Sequence, residues 1–255
     1  MRAQDKEKER KWNDDFVKRI GGYETYDDDL SHLFDIFQIS SLSKESIVLD
    51  AGCGTGKCSI PFAKQGFKVI GVDISEKAIE VACQKAEEAK LSIIFRVEDL
   101  EALPFEDNTF DIVFCGGVLH HFPSLNKVEE ELHRVLKEKG KLFAYEANRS
   151  NPITFLFFTF ANLSMKFLPL GCVKRKFSVN ERALSVKELE RSLRNAGFTD
   201  FYFDSINIRN KGKNNSQMIW GNIRNLIFLL CEKFLPRSSK GIHIVLSCVK
   251  ERKYK

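Results

Sequence analysis

The sequence predicts an α/β protein built on a seven-stranded, mostly parallel sheet with helices on both faces. Three observations predict it. Short apolar runs, such as Ile47-Val48-Leu49 and Val69-Ile70-Gly71-Val72, alternate with amphipathic stretches. Those runs are apolar throughout, as in strands buried on both faces. The first run passes directly into a glycine-rich turn, Gly52-Cys53-Gly54-Thr55-Gly56, and then into a helical stretch.

Two helices are expected before the sheet. Trp12, Phe16 and Ile20 recur at helical spacing, and Gly21-Gly22 stop that helix. Asp27 can cap a second helix whose Leu30, Leu33, Phe34 and Phe37 share a face. The first strand is expected over 46–50, with a helix over 57–65 closed by Gly66. A strand over 68–73 and a helix over 75–90 follow, Ser75 and Glu76 suiting the helix start. Third and fourth strands are expected over 91–97 and 110–115. Val128, Leu132, Val135 and Leu136 then share one helical face, with Gly140 at the helix end. A fifth strand takes 141–147.

After Asn148 the alternation stops. Residues 149–180 form a Phe-rich insertion. A helix is expected over 185–195, ended by Gly197, then a strand near 198–208. A second helical insertion lies at about 211–237, and the last strand at 241–249. The reading is one domain: a helical segment over 1–45, a core over 46–148, the insertion over 149–180, and the rest of the sheet over 181–255.

The seven Cys are scattered, without CxxC or Cys/His spacing. That pattern fits reduced thiols in a cytoplasmic protein, with no disulfide framework and no metal site. The first eleven residues are charged and have no apolar core, unlike a secretory signal. The net charge of +5 hides an asymmetry. Residues 151–255 carry 19 Lys and Arg against 7 Asp and Glu, and residues 1–150 the remaining 21 against 28. An anionic partner would meet the second half.

Glycines between a strand and a helix let the chain turn sharply and bring main-chain N–H groups close to a ligand. Three ligand classes compete with a merely structural turn. A dinucleotide fingerprint starting at Gly52 requires glycine at 57, where Lys57 stands. A phosphate-binding P-loop matches at Gly56-Lys57 but not at Ala51 or Cys58. The third class is indicated by Asp50 followed by Gly-x-Gly-x-Gly and by what lies downstream. Asp73 ends the second strand, and Glu98-Asp99-Leu100 the third. Residues 103–113, then Gly116-Gly117-Val118-Leu119-His120-His121-Phe122 and the run 136–142, complete the series.

Over about 46–148 this series resembles the class I S-adenosylmethionine (SAM) dependent methyltransferases. The likeness is strongest to the small-molecule branch of ubiquinone- and menaquinone-biosynthesis enzymes. The resemblance implies a Rossmann-like fold with an N-terminal helical lid, and SAM as cofactor, leaving S-adenosylhomocysteine. It implies that Gly52, Gly54 and Gly56 line the methionine end of SAM, with Cys53 in the turn and Asp50 beside the amino group. Asp73 would bind the ribose, where a carboxylate can accept from both hydroxyls. Ile74 would pack on adenine, Asp99 and Leu100 address its edge, and Gly116 lie close by. Tyr23 and Tyr26 lie in the segment that folds over the cofactor in related enzymes. For Asp73 the plain alternative is a helix cap, and for Asp99 a turn residue.

Methyl transfer from a sulfonium is an in-line displacement, and a base is needed only when the acceptor arrives protonated. His120 and His121 follow the fourth strand, where ligands of open α/β sheets bind. Either can be that base or can orient the loop. Glu146, ending the fifth strand, faces the acceptor or serves as a cap.

No Asp/Asn-Pro-Pro-Tyr motif follows the fourth strand, where Cys115-Gly116-Gly117 stands, which argues against methylation of nucleic-acid bases. The stretch 150–165 is uncharged and Phe-rich but, at 16 residues, short of the roughly 20 a bilayer span needs. Lys174-Arg175-Lys176 follow it. From 217 on, Ile219, Ile223, Leu226, Ile227, Leu230 and Phe234 share a face near Arg224, Lys233 and Arg237. Both segments are expected to cap a bulky, hydrophobic or lipid-linked small-molecule acceptor. The alternative is contact with an anionic membrane surface. Two other functions stay open: a SAM-binding regulatory protein without catalysis, and an RNA methyltransferase using the basic second half.

Overall fold

The computed structural model describes residues 6–20, 31–156, 159, 182–206, 239, 241 and 243–251. Seven strands form one sheet: β1 (Ile47–Ala51), β2 (Lys68–Asp73), β3 (Ile94–Val97), β4 (Phe110–Gly116), β5 (Leu136–Ala147), β6 (Phe198–Ile206) and β7 (His243–Lys250). Their order is β3-β2-β1-β4-β5-β7-β6. Strands β1 to β5 are parallel, and β7 runs antiparallel between β5 and β6. The order reverses between β1 and β4, which opens a crevice beyond their carboxyl ends. Those ends are level, since Ala51 pairs with both Val72 and Cys115, and Asp73 with Val97. Side chains from neighbouring strands therefore leave the sheet along one edge.

Successive strand residues feed opposite cores. Leu49, Val113 and Leu142 join Leu132, Leu189 and Leu193 on one face. There α5 (Asn126–Val135) and α6 (Val186–Asn195) cover the sheet. Val48, Phe114 and Phe143 point the other way. They meet Leu33, Phe34 and Phe37 at α2 (Ser31–Ile36) and Phe62 of α3 (Ser59–Lys64). Six of the 22 Phe pack on this face. The Phe62 ring lies 4.6 Å from Phe34 and 5.5 Å from Phe114, and Phe37 lies 4.8 Å from Phe143. Two further helices, α1 (Lys6–Ile20) and α4 (Glu76–Glu88), pack together. Ser75 caps α4, its hydroxyl accepting from Ala78 N–H as the sequence suggests.

One join differs from expectation. Leu136 fits the apolar face of α5, yet the helix stops at Val135. Leu136 is extended, pairs with Phe110, and its carbonyl accepts from Lys250 Nζ at 2.7 Å. Pairing then jumps to Ile112 with Lys141, so residues 137–140 bulge from the ladder. Gly140 therefore ends no helix: a Cβ there would lie 2.8 Å from Leu136 Cγ and from the Lys137 carbonyl. A close backbone approach, not a helix cap, requires that glycine.

Bounds shift modestly elsewhere. The strand expected over 91–97 begins at Ile94, and the helix after the glycine turn begins at Ser59. Gly21, Gly22, Asp27 and Leu30 lie outside the described residues, as do most of the Phe-rich insertion and the segment 207–238. Of the insertion, Phe155 and Leu156 are described, and both are exposed.

Candidate active site

The glycine turn is held by β2. Gly52 and Cys53 N–H both donate to the Val72 carbonyl, at 2.8 and 2.9 Å. Gly52, Gly54 and Gly56 have φ of +75°, +51° and +81°, backbone that side-chain-bearing residues rarely adopt. A Cβ on Gly52 would lie 2.3 Å from Val118 Cγ2, so the turn packs directly on the loop after β4. Thr55 Oγ1 is buried here with no protein partner.

Three carboxylates surround the turn. Asp50 is buried at the end of β1, accepts from the Ser59 hydroxyl, and is pushed up to about 7 by burial. Asp73 ends β2, where Oδ2 accepts from Gly54 N–H and Oδ1 from Ser75 N–H, both at 2.9 Å. Burial raises Asp73, while those two N–H groups and nearby His121 pull against it. Asp99 follows β3, and its Oδ1 accepts from Glu101 N–H at 2.9 Å. Cys53 is buried and its thiol is pushed well up by burial, so it stands as a small turn residue and not as a thiolate.

Helix α1 lies over this edge through contacts the sequence reading missed. The Lys6 ammonium pairs with Asp99 and, at 2.7 Å, with Glu101. Asp14 accepts from the Ser75 hydroxyl and from Lys77 N–H. Glu9 Oε1 lies 2.9 Å from His121 Nδ1, and the Trp12 ring lies 6.5 Å from that imidazole. Charges on a polar helix ordinarily read as solvated, and no local signal marks these as contacts.

The other expected residues fall around the same crevice. Ile74 is half-buried, whereas the Leu100 side chain sits in the core, so only its main chain can face a ligand. A Cβ on Gly116 would meet the Phe114 ring at 2.8 Å. His120 and His121 sit on a 3-10 turn, Leu119–His121, with their rings 4.2 Å apart. Glu146 is buried, and its Oε2 lies 2.7 Å from His120 Nδ1. Tyr23 and Tyr26 lie outside the described residues.

This donor set fits an amino acid joined to a nucleoside. A buried carboxyl at Asp50 suits an ammonium, the glycine turn admits close approach, and Asp73 and Asp99 suit ribose hydroxyls and an adenine amino group. Comparison with known proteins agrees. Residues 49–144 match the methyltransferase domain family. The ubiquinone biosynthesis O-methyltransferase of Coxiella burnetii is 40% identical over 103 residues, 40% of this chain and 44% of that protein. Its namesake from Methylocella silvestris is 34% identical over 154 residues, 60% of this chain and 58% of that protein. The chain thus spans about half the length of these relatives. A SAM-dependent methyltransferase structure from Methanosarcina mazei superposes with a TM-score of 0.62 at 21% identity. It covers 86% of this chain and 98% of that one, and at that identity it speaks for the fold alone. Residues 49–144 therefore match the methyltransferase domain, on a fold shared with SAM-dependent methyltransferases, and that part of the chain is similar to the ubiquinone-biosynthesis enzymes.

Proposed function

We propose that the protein transfers the methyl group of SAM to a hydroxyl of a small, hydrophobic acceptor. The observation that carries this reading is the meeting of the glycine turn with Asp50, Asp73 and Asp99 on one level edge of the sheet. In this reading the main chain of Gly52, Gly54 and Gly56 borders the methionine end, and Asp50 takes its ammonium. Asp73 takes the ribose, Ile74 packs on adenine, and Asp99 with the main chain of Leu100 takes the adenine edge. Helix α1 acts as a lid over the adenosine. SAM supplies an activated methyl, and the protein aligns the acceptor with it and excludes water.

Oxygen is chosen because the two relatives compared are named O-methyltransferases. A hydrophobic acceptor is chosen because the Phe-rich insertion leaves the end of β5, at the same edge, and carries exposed Phe155 and Leu156. Calorimetry with SAM and S-adenosylhomocysteine, followed by transfer of radiolabelled methyl to phenols and catechols, tests the reading. No cofactor binding by the folded protein would overturn it. A lipid-linked acceptor and peripheral membrane contact are the finer expectation. No helix among the described residues is long and apolar enough to cross a membrane. Failure to sediment with anionic vesicles at low salt would remove membrane contact.

A further inference from the structure

Lys6, the first residue of α1, sits on the carboxylate that the proposed site gives to adenine. Asp99 Oδ1 accepts from Glu101 N–H at 2.9 Å, which leaves Oδ2 for another donor. Oδ2 is the oxygen that pairs with the Lys6 ammonium. The same ammonium pairs with Glu101 Oε2 at 2.7 Å. Main-chain bonds fix the segment, Glu98 N–H donating to the Asp73 carbonyl and Ala102 N–H to the Asp99 carbonyl, both at 3.0 Å. Asp99 therefore keeps its place, while the long, flexible stem of the lysine lets its ammonium move. An adenine amino group and an ammonium are both donors, and two donors converging on one oxygen repel. Glu101 offers the ammonium a second place. Its side chain is 13% exposed against 31% for Asp99, so that pair is the less screened.

We propose that Lys6 is a specificity-determining residue at the adenine edge: it holds Asp99 until a 6-amino group displaces it, and then stays on Glu101. The proposal rests on the SAM reading above. A purine with a 6-amino group must break the Lys6–Asp99 pair to reach Oδ2, so its affinity is lowered by the strength of that pair. A purine with hydrogen at that position leaves the pair intact. Lys6 therefore narrows the margin by which adenine is preferred, and arrival of the adenosine end detaches the start of α1 from Asp99.

The test is calorimetry on the full chain with two probes: S-adenosylhomocysteine, and its analogue with hydrogen in place of the 6-amino group. Both are net neutral, so removing a cation does not by itself favour either. Lys6→Met keeps the stem and removes the charge. It should bind S-adenosylhomocysteine about two- to fivefold tighter than the wild type, the range of a partly exposed ion pair. The analogue should keep its wild-type Kd, which also reports an intact fold. The gain should shrink as added salt screens the pair. Glu101→Gln leaves Lys6 only Asp99 as a charged partner, so it should weaken S-adenosylhomocysteine, and adding Lys6→Met should abolish that loss. Equal or weaker binding of S-adenosylhomocysteine by Lys6→Met, or an equal gain for the analogue, overturns the proposal. So does a Glu101→Gln loss that persists without Lys6. A wild type that binds neither probe strikes both readings. A wild type that binds S-adenosylhomocysteine while Lys6→Met gains nothing strikes this one alone.

Discussion

Asp73 accepts the main-chain N–H of Gly54 at 2.9 Å, so the carboxylate at the end of β2 also fixes the glycine turn at the end of β1. One side chain thus sets the shape of the turn and, in the proposed site, also takes the ribose. A substitution at Asp73 is expected to act on both. Asp73→Ala should weaken SAM binding by on the order of 10- to 100-fold, the scale of one hydrogen bond to a charged group. Asp73→Asn, which keeps one acceptor oxygen, should fall between. Calorimetry on folded protein reads both, and wild-type affinity in Asp73→Ala would overturn the cofactor assignment.

With Asp50 beside the ammonium, as in the proposed site, SAM binding should depend on pH. Burial holds its carboxyl at about 7 in the unliganded protein. An ammonium beside it favours the ionised form, so binding pulls that value down and releases a proton. Affinity should fall as pH drops below about 7, by up to about tenfold per unit. Calorimetry in two buffers of different ionisation enthalpy measures the released proton. Asp50→Asn should bind more weakly and with a flat profile.

The lid can be loosened without disturbing the core. Lys6→Ala combined with Asp14→Ala removes the pair at Asp99 and Glu101 and the acceptor for Ser75 and Lys77. Ser75 still caps α4 through Ala78 N–H, the partly exposed Lys6 pairs contribute about 0–1 kcal/mol and each Asp14 hydrogen bond about 1 kcal/mol, so melting should fall by only a few degrees. Hydrogen exchange at Lys77 N–H should quicken, and SAM should associate several-fold faster. Unchanged exchange and association would show that α1 does not gate the edge.

Glu129 should make the fold less stable as pH rises. It is buried between α5 and α6, accepts from the Ser192 hydroxyl, and its Oε1 has no partner. Burial pushes it up to about 8 from 4.5. The folded chain therefore keeps a proton that the unfolded chain gives up. This contribution is fully present below 4.5 and is lost as pH rises to about 8. Glu129→Gln should melt higher than the wild type at alkaline pH and show a shallower decline from acid to alkaline conditions. Asp50 titrates with the same sign, so it accounts for part of the slope that remains.

What the sequence shows depends on how far apart the partners lie. The strand 68–73 is legible to the residue because its apolar run is bounded by local signals at Gly66 and Ser75. The glycine turn, Asp73 and Asp99 are legible because their spacing is local to each strand end. The break at Leu136 is not, because helical periodicity includes that residue while Phe110 and Lys250 draw it into the sheet. Glu146 reads as a cap or an acceptor contact because its partners at 118–120 stand 26 to 28 residues away. Lys6 and Asp99 are 93 residues apart, and nothing near Lys6 in the chain announces the pairing.

The place of β7 has a consequence for how the chain comes off the ribosome. β7 is made after the other six strands, yet it lies inside the sheet, between β5 and β6. Until it emerges, β5 ends the parallel half as an open edge of unpaired main-chain groups, and β6 has no neighbour at all. Such an edge invites pairing with other chains. Lys250 then fastens the finished sheet by donating to Asn108 Oδ1 at 2.9 Å and to the Leu136 carbonyl. A chain cut before residue 243 would lack an interior strand, and the nascent protein stays prone to aggregation until β7 has emerged.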